Sequence, residues 1–365
     1  MSNSLVANFA PRLIAWQRQH GRHALPWQVG HQADAYPVWL SEIMLQQTQV
    51  ETVIPYYQRF LARFPDLATL AAAQQDDVLG HWSGLGYYSR ARNLHAAAQR
   101  IAGEHDGRFP RDVDAMLALP GIGRSTAAAI AAFAFGERRA ILDGNVKRVL
   151  TRVFGVDGWP GEKAIEKQLW LLAESLLPKA THEAADMADI RAYTQGLMDL
   201  GATVCRRARP RCDSCPFTAD CHANQHARQR ELPAARPKKN LPSRSTAMLV
   251  LMHAGEVLLE KRPNSGIWGG LWSLPEFAVE DDPMLAALRL GYRPVPEDEK
   301  PGELPGFEHG FSHFRLTIQP WRLQVSPTHA LEEPGRIWLS LDELDGAALP
   351  TPVRRILAAL RSAAD

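Results

Sequence analysis

The sequence predicts a multidomain protein in which an all-α domain is followed by a smaller α+β domain. Over residues 11–200 the apolar residues recur at helical spacing, and proline and glycine separate segments of ordinary helix length. After residue 243 the pattern changes to short apolar runs joined by turn residues, which is typical of strands and hairpins. A chain of 365 residues, 45% of them hydrophobic, is long enough to form two cores.

Composition excludes membrane-spanning and secreted classes of protein. The longest apolar run, residues 126–135, is far shorter than the roughly 18 to 20 residues that a membrane span requires. Residues 1–11 lack the basic patch and apolar core of a secretory signal. We therefore expect a cytoplasmic monomer, associated with the nucleoid if the source is bacterial.

Charge is balanced over the whole chain but not along it. Lys and Arg total 41 and Asp and Glu total 40, yet residues 205–244 hold ten basic and three acidic side chains. A block of this kind is typical either of a solvated linker or of a surface that contacts phosphates.

Proline and glycine mark the boundaries of the helical half. Pro55 and Gly136 are among the residues predicted to separate helices. Three prolines and almost no apolar residues then occur in residues 231–243, which predicts an interdomain linker. We therefore predict a first domain over residues 1–230 and a second domain over residues 244–365.

The second domain begins with a predicted β-hairpin. Residues 247–252 and 257–259 are apolar runs on either side of a turn that contains Gly255. Residues 314–319 and 321–325 predict a further pair of strands, and residues 352–360 predict a closing helix. The domain is therefore expected to be α+β.

All four cysteines of the chain lie within residues 205–221. They have the spacing Cys205-x6-Cys212-x2-Cys215-x5-Cys221. Disulfides are disfavoured in a reducing compartment, and zinc ribbons usually carry two Cys-x2-Cys pairs separated by a longer insert. One short segment with four thiolates favours a [4Fe-4S] cluster, and structural zinc remains the alternative.

A glycine-containing turn interrupts two predicted helices between residues 119 and 124. Leu119-Pro120-Gly121-Ile122-Gly123 separates a short helix from an Ala-rich one that begins at Arg124, which predicts a helix-hairpin-helix motif. Gly121, Gly123 and the following Ser125 would present N–H groups to a DNA phosphate at the start of the second helix. An ordinary helical corner is the alternative.

Two carboxylates are the candidate catalytic groups. Asp143 precedes a helical segment and is expected to cap it, and such an ionised carboxylate could also stabilise an oxocarbenium ion. Glu42 has Val38, Trp39 and other uncharged residues one helical turn away, so its pKa is expected to be raised, as a general acid requires. The alternative for Glu42 is a solvated helical side chain.

The sequence resembles the MutY-type adenine DNA glycosylases of the helix-hairpin-helix superfamily. The resemblance covers the helical half and continues through the second domain. It is carried by the four cysteines and by these motifs: Leu25-Pro26-Trp27, Ser41-Glu42-Ile43-Met44-Leu45-Gln46-Gln47-Thr48-Gln49-Val50, Gly84-Leu85-Gly86-Tyr87-Tyr88-Ser89-Arg90-Ala91-Arg92-Asn93, Leu119-Pro120-Gly121-Ile122-Gly123 and Leu142-Asp143-Gly144-Asn145-Val146.

The resemblance implies an all-α glycosylase domain with a [4Fe-4S] loop, which removes adenine mispaired with 8-oxoguanine or guanine in double-stranded DNA. It implies that Glu42 protonates adenine N7 and then assists water, while Asp143 stabilises the sugar cation with Asn145 beside it.

The same resemblance implies a pocket for adenine and a wedge that fills the duplex when the base flips out. Leu25 and Trp27 correspond to the pocket wall, and Gln47 and Tyr87 to the wedge. Gln195 falls where members of the family carry Glu or Gln.

The second domain resembles the Nudix-like module of that family. The Mg²⁺-binding carboxylate cluster of Nudix hydrolases is not found between Gly266 and Gly291, so binding is expected instead of hydrolysis. The resemblance implies that Phe311, Ser312 and His313 recognise 8-oxoguanine. By local sequence alone, these three residues would be assigned to a strand edge.

Three rival functions share part of this pattern. An endonuclease III-like bifunctional glycosylase and lyase has the same hairpin, aspartate and cysteine spacing, but it uses a lysine where this chain has Ser125. Lys147 lies near enough in sequence to leave weak strand cleavage open. The second rival is a non-catalytic iron-sulfur DNA-binding protein, against which both Glu42 and Asp143 count. The third is a nucleotide hydrolase, which the missing carboxylate cluster disfavours.

Overall fold

The computed structural model describes residues 3–28, 34–179, 185–237, 240–295, 301–327, 334–344 and 346–364. It divides into two compact units, one formed by Met1–Ala72 with Asn93–Lys238 and the other by Ala73–Arg92 with Lys239–Asp365. The first unit is helical and the second contains a sheet, so the predicted order of fold classes is confirmed. The domain limits 1–230 and 244–365 stay predictions, and Lys238 and Lys239 of the predicted linker lie outside the described residues.

The helices of the first 230 residues cover most of that part of the chain. Where the structure is described, no helix is both long and apolar enough to cross a membrane. In chain order the helices are α1 (Asn3–His20), α2 (Ala35–Leu45), α3 (Val50–Arg63), α4 (Leu67–Ala72), α5 (Gln75–Trp82), α6 (Ser89–Glu104), α7 (Val113–Ala118), α8 (Arg124–Phe135), α9 (Gly144–Phe154), α10 (Lys163–Ser175), α11 (Ala185–Asp199) and α12 (His222–Gln225).

Two details of these helices concern the predictions. The hairpin between α7 and α8 is confirmed, with Gly123 as the N-cap of α8. The predicted break at Pro55 is wrong, because Pro55 lies inside α3. Proline removes one helical hydrogen bond, but Val53, Tyr57 and Phe60 on the same helix are buried, and their packing outweighs that loss.

The core of the helical unit positions the elements that carry the candidate site. Residues 127–132 of α8 are all buried, and their alanines let α2 pack closely against this helix. Helix α9 contacts α10, α11, α12 and a π-helical turn, Leu200–Val204, that follows α11. Phe9 of α1 stacks on Phe217 with ring centroids 4.3 Å apart, which joins the N-terminal helix to the cysteine-containing segment.

The second unit contains a mixed sheet with the path β3-β2-β1-β8-β5 among its described strands. Its strands and helices after residue 239 are, in chain order, β1 (Ser243–His253), β2 (Glu256–Lys261), β3 (Trp272–Ser273), β4 (Glu276–Phe277), α13 (Pro283–Arg289), β5 (Tyr292–Pro294), β6 (Gly302–Glu303), β7 (Phe307–Gly310), β8 (Arg315–Pro327), β9 (Arg336–Ser340) and α14 (Thr351–Ala364).

The predicted hairpin and closing helix are confirmed as β1 with β2 and as α14. The predicted strand pair at 314–319 and 321–325 is wrong, because residues 315–325 belong to the single strand β8, which pairs in parallel with β1, and Phe314 precedes it. Pro320 does not end the strand: it pairs in register with Met248, and its carbonyl accepts a hydrogen bond from the N–H of Leu304. The ladder therefore continues on both sides of the missing proline N–H.

Candidate active site and cysteine cluster

Glu42 lies near the end of α2, a helix whose other residues are almost all buried. The helix begins after Asp34, whose side chain accepts a hydrogen bond from the N–H of Tyr36 at 3.0 Å. Burial first, and the negative charge of Asp143 second, raise the pKa of Glu42 to about 8. The raised pKa expected from the sequence is therefore present, and this carboxyl holds a proton at neutral pH.

Asp143 is the N-cap of α9, as the sequence predicted. Its Oδ1 accepts a hydrogen bond from the N–H of Val146 at 2.8 Å. Burial raises the pKa of Asp143, but the N–H groups of Val146 and Asn145 and the charges of Arg148 and Lys147 lower it. Glu42 has no such stabilising group among the causes of its shift. Of the two carboxyls, Asp143 is therefore the one that ionises first.

The first turn of α8 connects the segments that carry these carboxyls. Ser125 Oγ accepts a hydrogen bond from the N–H of Leu142, the residue before Asp143, at 3.0 Å. The neighbouring Thr126 Oγ1 accepts one from the amide of Gln46, at the end of α2, at 3.4 Å. The hairpin helix therefore holds α2 and the start of α9 on either side of its N-terminus.

The two glycines of the hairpin, Gly121 and Gly123, lie in different structural surroundings. Gly121 has a φ of +80°, and an added Cβ would lie 2.9 Å from Cβ of Asn93, so a side chain is excluded by conformation and by contact. Gly123 is exposed, and no atom lies within 4 Å of the place where its Cβ would be. No side chain caps the N-terminus of α8. Exposed N–H groups at a helix start suit a phosphate oxygen.

Three of the predicted pocket residues are buried in the helical unit. Leu25 and Trp27 precede α2, and the Trp27 ring meets Tyr57 edge-on with centroids 5.4 Å apart. Gln195 donates a hydrogen bond to Asp199 Oδ1 at 2.9 Å. The same Asp199 oxygen accepts from Arg22 Nε at 2.7 Å, so the Gln195 amide is bonded to a partly buried ion pair.

The two predicted wedge residues share an unusual backbone conformation. Gln47 has a φ of 58° and Tyr87 a φ of 49°, in the left-handed region that residues other than glycine rarely adopt. Both are exposed, and Tyr87 keeps 53% of its surface accessible. Nothing in the local sequence signals this conformation, because neither residue is a glycine or asparagine. Strained, exposed residues of this kind are concentrated at functional sites.

Arg148 connects the start of α9 to the cysteine segment, a role that was not predicted from the sequence. It donates hydrogen bonds of 2.7 Å to Asn145 Oδ1, to the carbonyl of Gly201 and to the carbonyl of Cys205. One turn further along α9, Arg152 lies 3.5 Å from Cys205 Sγ. Residues 145, 148 and 152 are three and four positions apart and so share one face of the helix, which is the sequence pattern that could have predicted these contacts. Helix α9 thus links the neighbourhood of Asp143 to the cysteine segment.

The four cysteines line one cavity, together with Arg152 and the residues around them. None is in a disulfide, so that pairing is not formed. In the part of the chain that the structure describes, no three His, Cys, Asp or Glu side chains could hold a single metal ion. Cys215 Sγ accepts the N–H of Phe217 at 3.5 Å, and burial raises the pKa of its thiol to about 12. Four sulfur donors around a cavity fit a group that binds each thiolate separately and favours the ionised form.

Phe311, Ser312 and His313 form the tip of the hairpin between β7 and β8 and are not part of a strand. The N–H of Phe311 donates to the carbonyl of Phe314 at 2.9 Å and closes the turn. The rings of these two phenylalanines stack with centroids 4.5 Å apart, and Trp268 lies 5.6 Å from Phe311. Ser312 and His313 are exposed. The hairpin tip therefore combines a cluster of packed aromatic rings with two polar side chains that a ligand can reach.

Comparison with known proteins agrees with this arrangement. Residues 40–175 match the model of the HhH-GPD superfamily base excision DNA repair proteins, and residues 246–359 match the NUDIX domain. An adenine DNA glycosylase of Buchnera aphidicola is 37% identical over 351 residues, 96% of each chain. The chain belongs to the adenine DNA glycosylase family. The human adenine DNA glycosylase is 34% identical over 96% of this chain and 73% of its own.

Solved structures of other helix-hairpin-helix glycosylases resemble the helical part of this family member. A thermostable thymine-DNA glycosylase aligns with a TM-score of 0.52 and 28% identity, covering 61% of this chain and 98% of its own. Endonuclease III in a non-covalent DNA complex aligns with a TM-score of 0.50 and 18% identity, covering 62% and 98%. The second likeness concerns the fold alone.

Proposed function

We propose that this protein hydrolyses the N-glycosidic bond of adenine in DNA, where adenine is mispaired with 8-oxoguanine or guanine. The observation that carries the proposal is the pair of Glu42 and Asp143, in which one carboxyl holds a proton at neutral pH and the other is surrounded by groups that stabilise its charge. Excision of a purine needs both a proton donor and a stabiliser of the sugar cation.

The reaction begins when adenine leaves the base stack, because its glycosidic bond is not accessible inside the duplex. Gln47 and Tyr87 fill the vacated space, and their exposure and left-handed backbone support this role. Leu25 and Trp27 form part of the wall of the pocket that receives the base. Gln195, the remaining candidate residue of the pocket, is held in place by its bond to Asp199.

Glu42 then donates its proton to N7 of adenine, and the glycosidic electron pair leaves with the base. Asp143 stabilises the resulting oxocarbenium ion by its negative charge, and the N–H of Asn145 helps to keep this carboxylate ionised. The Glu42 carboxylate next accepts a proton from the attacking water, which restores its protonated form and completes hydrolysis.

Two contacts support a glycosylase without lyase activity. Ser125 occupies the position of the lysine nucleophile of endonuclease III-like enzymes, and its hydroxyl is bound to the N–H of Leu142. Lys147 Nζ is held in an ion pair with Glu166 at 2.5 Å, so the amine that strand cleavage would need already has a partner.

Cys205, Cys212, Cys215 and Cys221 would hold a [4Fe-4S] cluster. When bound, the cluster supplies iron–thiolate bonds that crosslink residues 205–221 into one rigid loop. Arg206, Arg207, Arg209 and Arg211 are exposed within this loop and are suited to phosphate contacts beside those of the hairpin glycines. The Nudix-like domain would add Phe311, Ser312 and His313 as the reader of 8-oxoguanine.

The proposal is tested with four duplexes that carry adenine opposite 8-oxoguanine, guanine or thymine, or a thymine glycol. Base loss is scored by alkaline cleavage, and strand cleavage is scored without alkali. We expect base loss from the first two duplexes only, and no strand break before alkali. Preferred removal of thymine glycol, or strand cleavage at the rate of base loss, would favour an endonuclease III-like activity instead.

A further inference from the structure

The segment that carries Tyr87 belongs to the same compact unit as the C-terminal residues. Ala73–Arg92 groups with Lys239–Asp365, although most of its sequence neighbours belong to the helical unit. Asp76 of α5 pairs with Lys261 of β2, and Gln75 donates to Asn264 at 3.3 Å. Contacts of this kind continue through residues 83–92.

The hydroxyl of Tyr88 attaches this segment to the C-terminal part of the unit. It accepts a hydrogen bond from the N–H of Gly84 at 3.3 Å and donates one to the carbonyl of Leu349 at 3.0 Å. Tyr88 is buried, whereas the adjacent Tyr87 is exposed. One tyrosine of the pair is therefore an anchor, and the other is accessible to a ligand.

Both ends of residues 83–92 are attached as well. At one end, Arg354 of α14 donates to Ser83 Oγ at 2.8 Å. The same guanidinium binds the carbonyls of Leu344 and Ala347, which fixes its own position. At the other end, Arg92 donates to the carbonyl of Gly269 at 2.6 Å.

Arg90 contacts the aromatic rings and the backbone on either side of this turn. Its guanidinium lies 5.4 Å from the ring centroid of Trp82 and 5.5 Å from that of Tyr87. It also donates to the carbonyl of Gly86 at 3.1 Å, which accepts a second bond from Trp82 Nε1 at 3.1 Å. A left-handed non-glycine residue persists only where the surroundings determine its conformation, and these bonds do so for Tyr87.

We propose that the C-terminal residues position Tyr87 for insertion into the duplex, so that the Nudix-like part of the chain promotes adenine flipping and does not act on the opposite base alone. This role rests on the proposed function, because it requires a duplex from which adenine is flipped. Tyr88, Arg92 and Arg354 are positioning residues in this account. They do not touch the reacting atoms, and they act by holding the backbone that presents Tyr87.

The test measures flipping and excision separately. Tyr88→Phe and Arg354→Met each remove bonds to this segment, and each should slow flipping about five-fold, as loss of one hydrogen bond implies. Flipping is followed by the fluorescence rise of 2-aminopurine placed opposite 8-oxoguanine. Single-turnover adenine excision should slow in parallel, while the ratio of rates for 8-oxoguanine and guanine is retained.

A second duplex separates positioning from general damage. When the pairs that flank the mispair are themselves mismatched, unstacking costs less, and the defect of both variants should shrink. Matched controls are Tyr292→Phe, a buried tyrosine of the same unit, and Arg361→Met on α14, which should flip at the wild-type rate.

Wild-type flipping rates in Tyr88→Phe and Arg354→Met, or equal slowing on both duplexes, would overturn the inference. A lowered melting temperature with unchanged flipping would do the same. Failure of the proposed function gives a different result, because the wild-type protein would then not excise adenine, or Glu42→Gln would excise it normally.

Discussion

At the scale of single residues, the site depends on two carboxyls with unlike surroundings. Burial and the charge of Asp143 raise the pKa of Glu42, whereas the raising effect of burial on the pKa of Asp143 is opposed by backbone N–H groups and by the charges of Arg148 and Lys147. The same functional group can therefore serve as an acid at one position and as an anion at the other.

Replacing Glu42 by Gln keeps the size of the side chain but removes its transferable proton. We expect Glu42→Gln to lower the single-turnover rate of adenine excision by about 10²- to 10⁴-fold, with affinity for the mispair nearly unchanged. The rate and the affinity are measured on the same duplex. Retention of more than about a tenth of the wild-type rate, a far smaller loss than general acid catalysis provides, would remove Glu42 from the mechanism.

The raised pKa of Glu42 predicts how rate and stability change with pH. Excision should decline as pH rises through about 8, where Glu42 loses its proton. The folded pKa lies above the ordinary value of 4.5, so this group's contribution to stability is complete below 4.5 and is lost as pH rises through 8. Glu42→Gln should therefore be more stable than wild type above pH 8, as urea unfolding at several pH values would reveal. An identical pH dependence in both proteins would contradict this.

Asp143→Asn separates capping from catalysis. Asparagine caps helices about as well as aspartate, so the melting temperature should stay close to that of wild type. Excision should nevertheless fall by a factor of about 10² or more, because the amide offers no charge to an oxocarbenium ion. Single-turnover kinetics together with thermal unfolding distinguish the roles, and a variant with near-normal excision would leave Asp143 as a cap alone.

At the scale of elements, the relation between α9 and the cysteine segment is the main structural feature. Asp143 caps the start of this helix, Arg148 binds Asn145 and Cys205, and Arg152 approaches Cys205 Sγ. The cysteine segment is therefore attached to the same helix that Asp143 caps.

The identity of the group held by this segment is open to direct measurement. Protein purified from iron-replete cells should be yellow-brown, with about four irons per chain and negligible zinc by elemental analysis. Cys212→Ser should weaken DNA binding more than it alters the excision step, because the exposed arginines of the loop lose their support. Stoichiometric zinc in the purified protein would show that the segment is a structural zinc site.

At the scale of the whole molecule, the candidate functional residues are distributed over two compact units. The helical unit contains Glu42, Asp143, the hairpin and the cysteines, and the other unit contains both the hairpin tip at 311–314 and the Tyr87 segment. Recognition of the opposite base and support of the wedge would thus be attributes of one unit.

The recognition role of the hairpin tip predicts a loss of selectivity without a loss of fold. Ser312 and His313 are exposed, so their joint replacement by Ala should leave the melting temperature unchanged. A polar contact to a base edge contributes about 1 to 3 kcal/mol, so the preference for 8-oxoguanine over guanine should fall roughly 5- to 150-fold. Equal preference in variant and wild type, measured by single-turnover rates and by mispair affinity, would make the loop structural.

Features that depend on nearby residues could be predicted from the amino-acid sequence alone. Signals within a few positions predict the hairpin, the Asp143 cap, the turn at Gly255 and the order of the two fold classes. The raised pKa of Glu42 was expected from its uncharged neighbours, but it also depends on burial in the fold and on the distant Asp143. Local signals failed at Pro55 and Pro320, where packing of the surrounding residues outweighed one missing N–H.

The contacts between distant segments, in contrast, are seen only in the folded molecule. Helix α8 joins the end of α2 to the residue before Asp143, Arg148 reaches Cys205, and Ala73–Arg92 groups with the C-terminal residues. These features depend on contacts between residues far apart in the chain, and such contacts are selected by the packing of the complete core and not by local propensity.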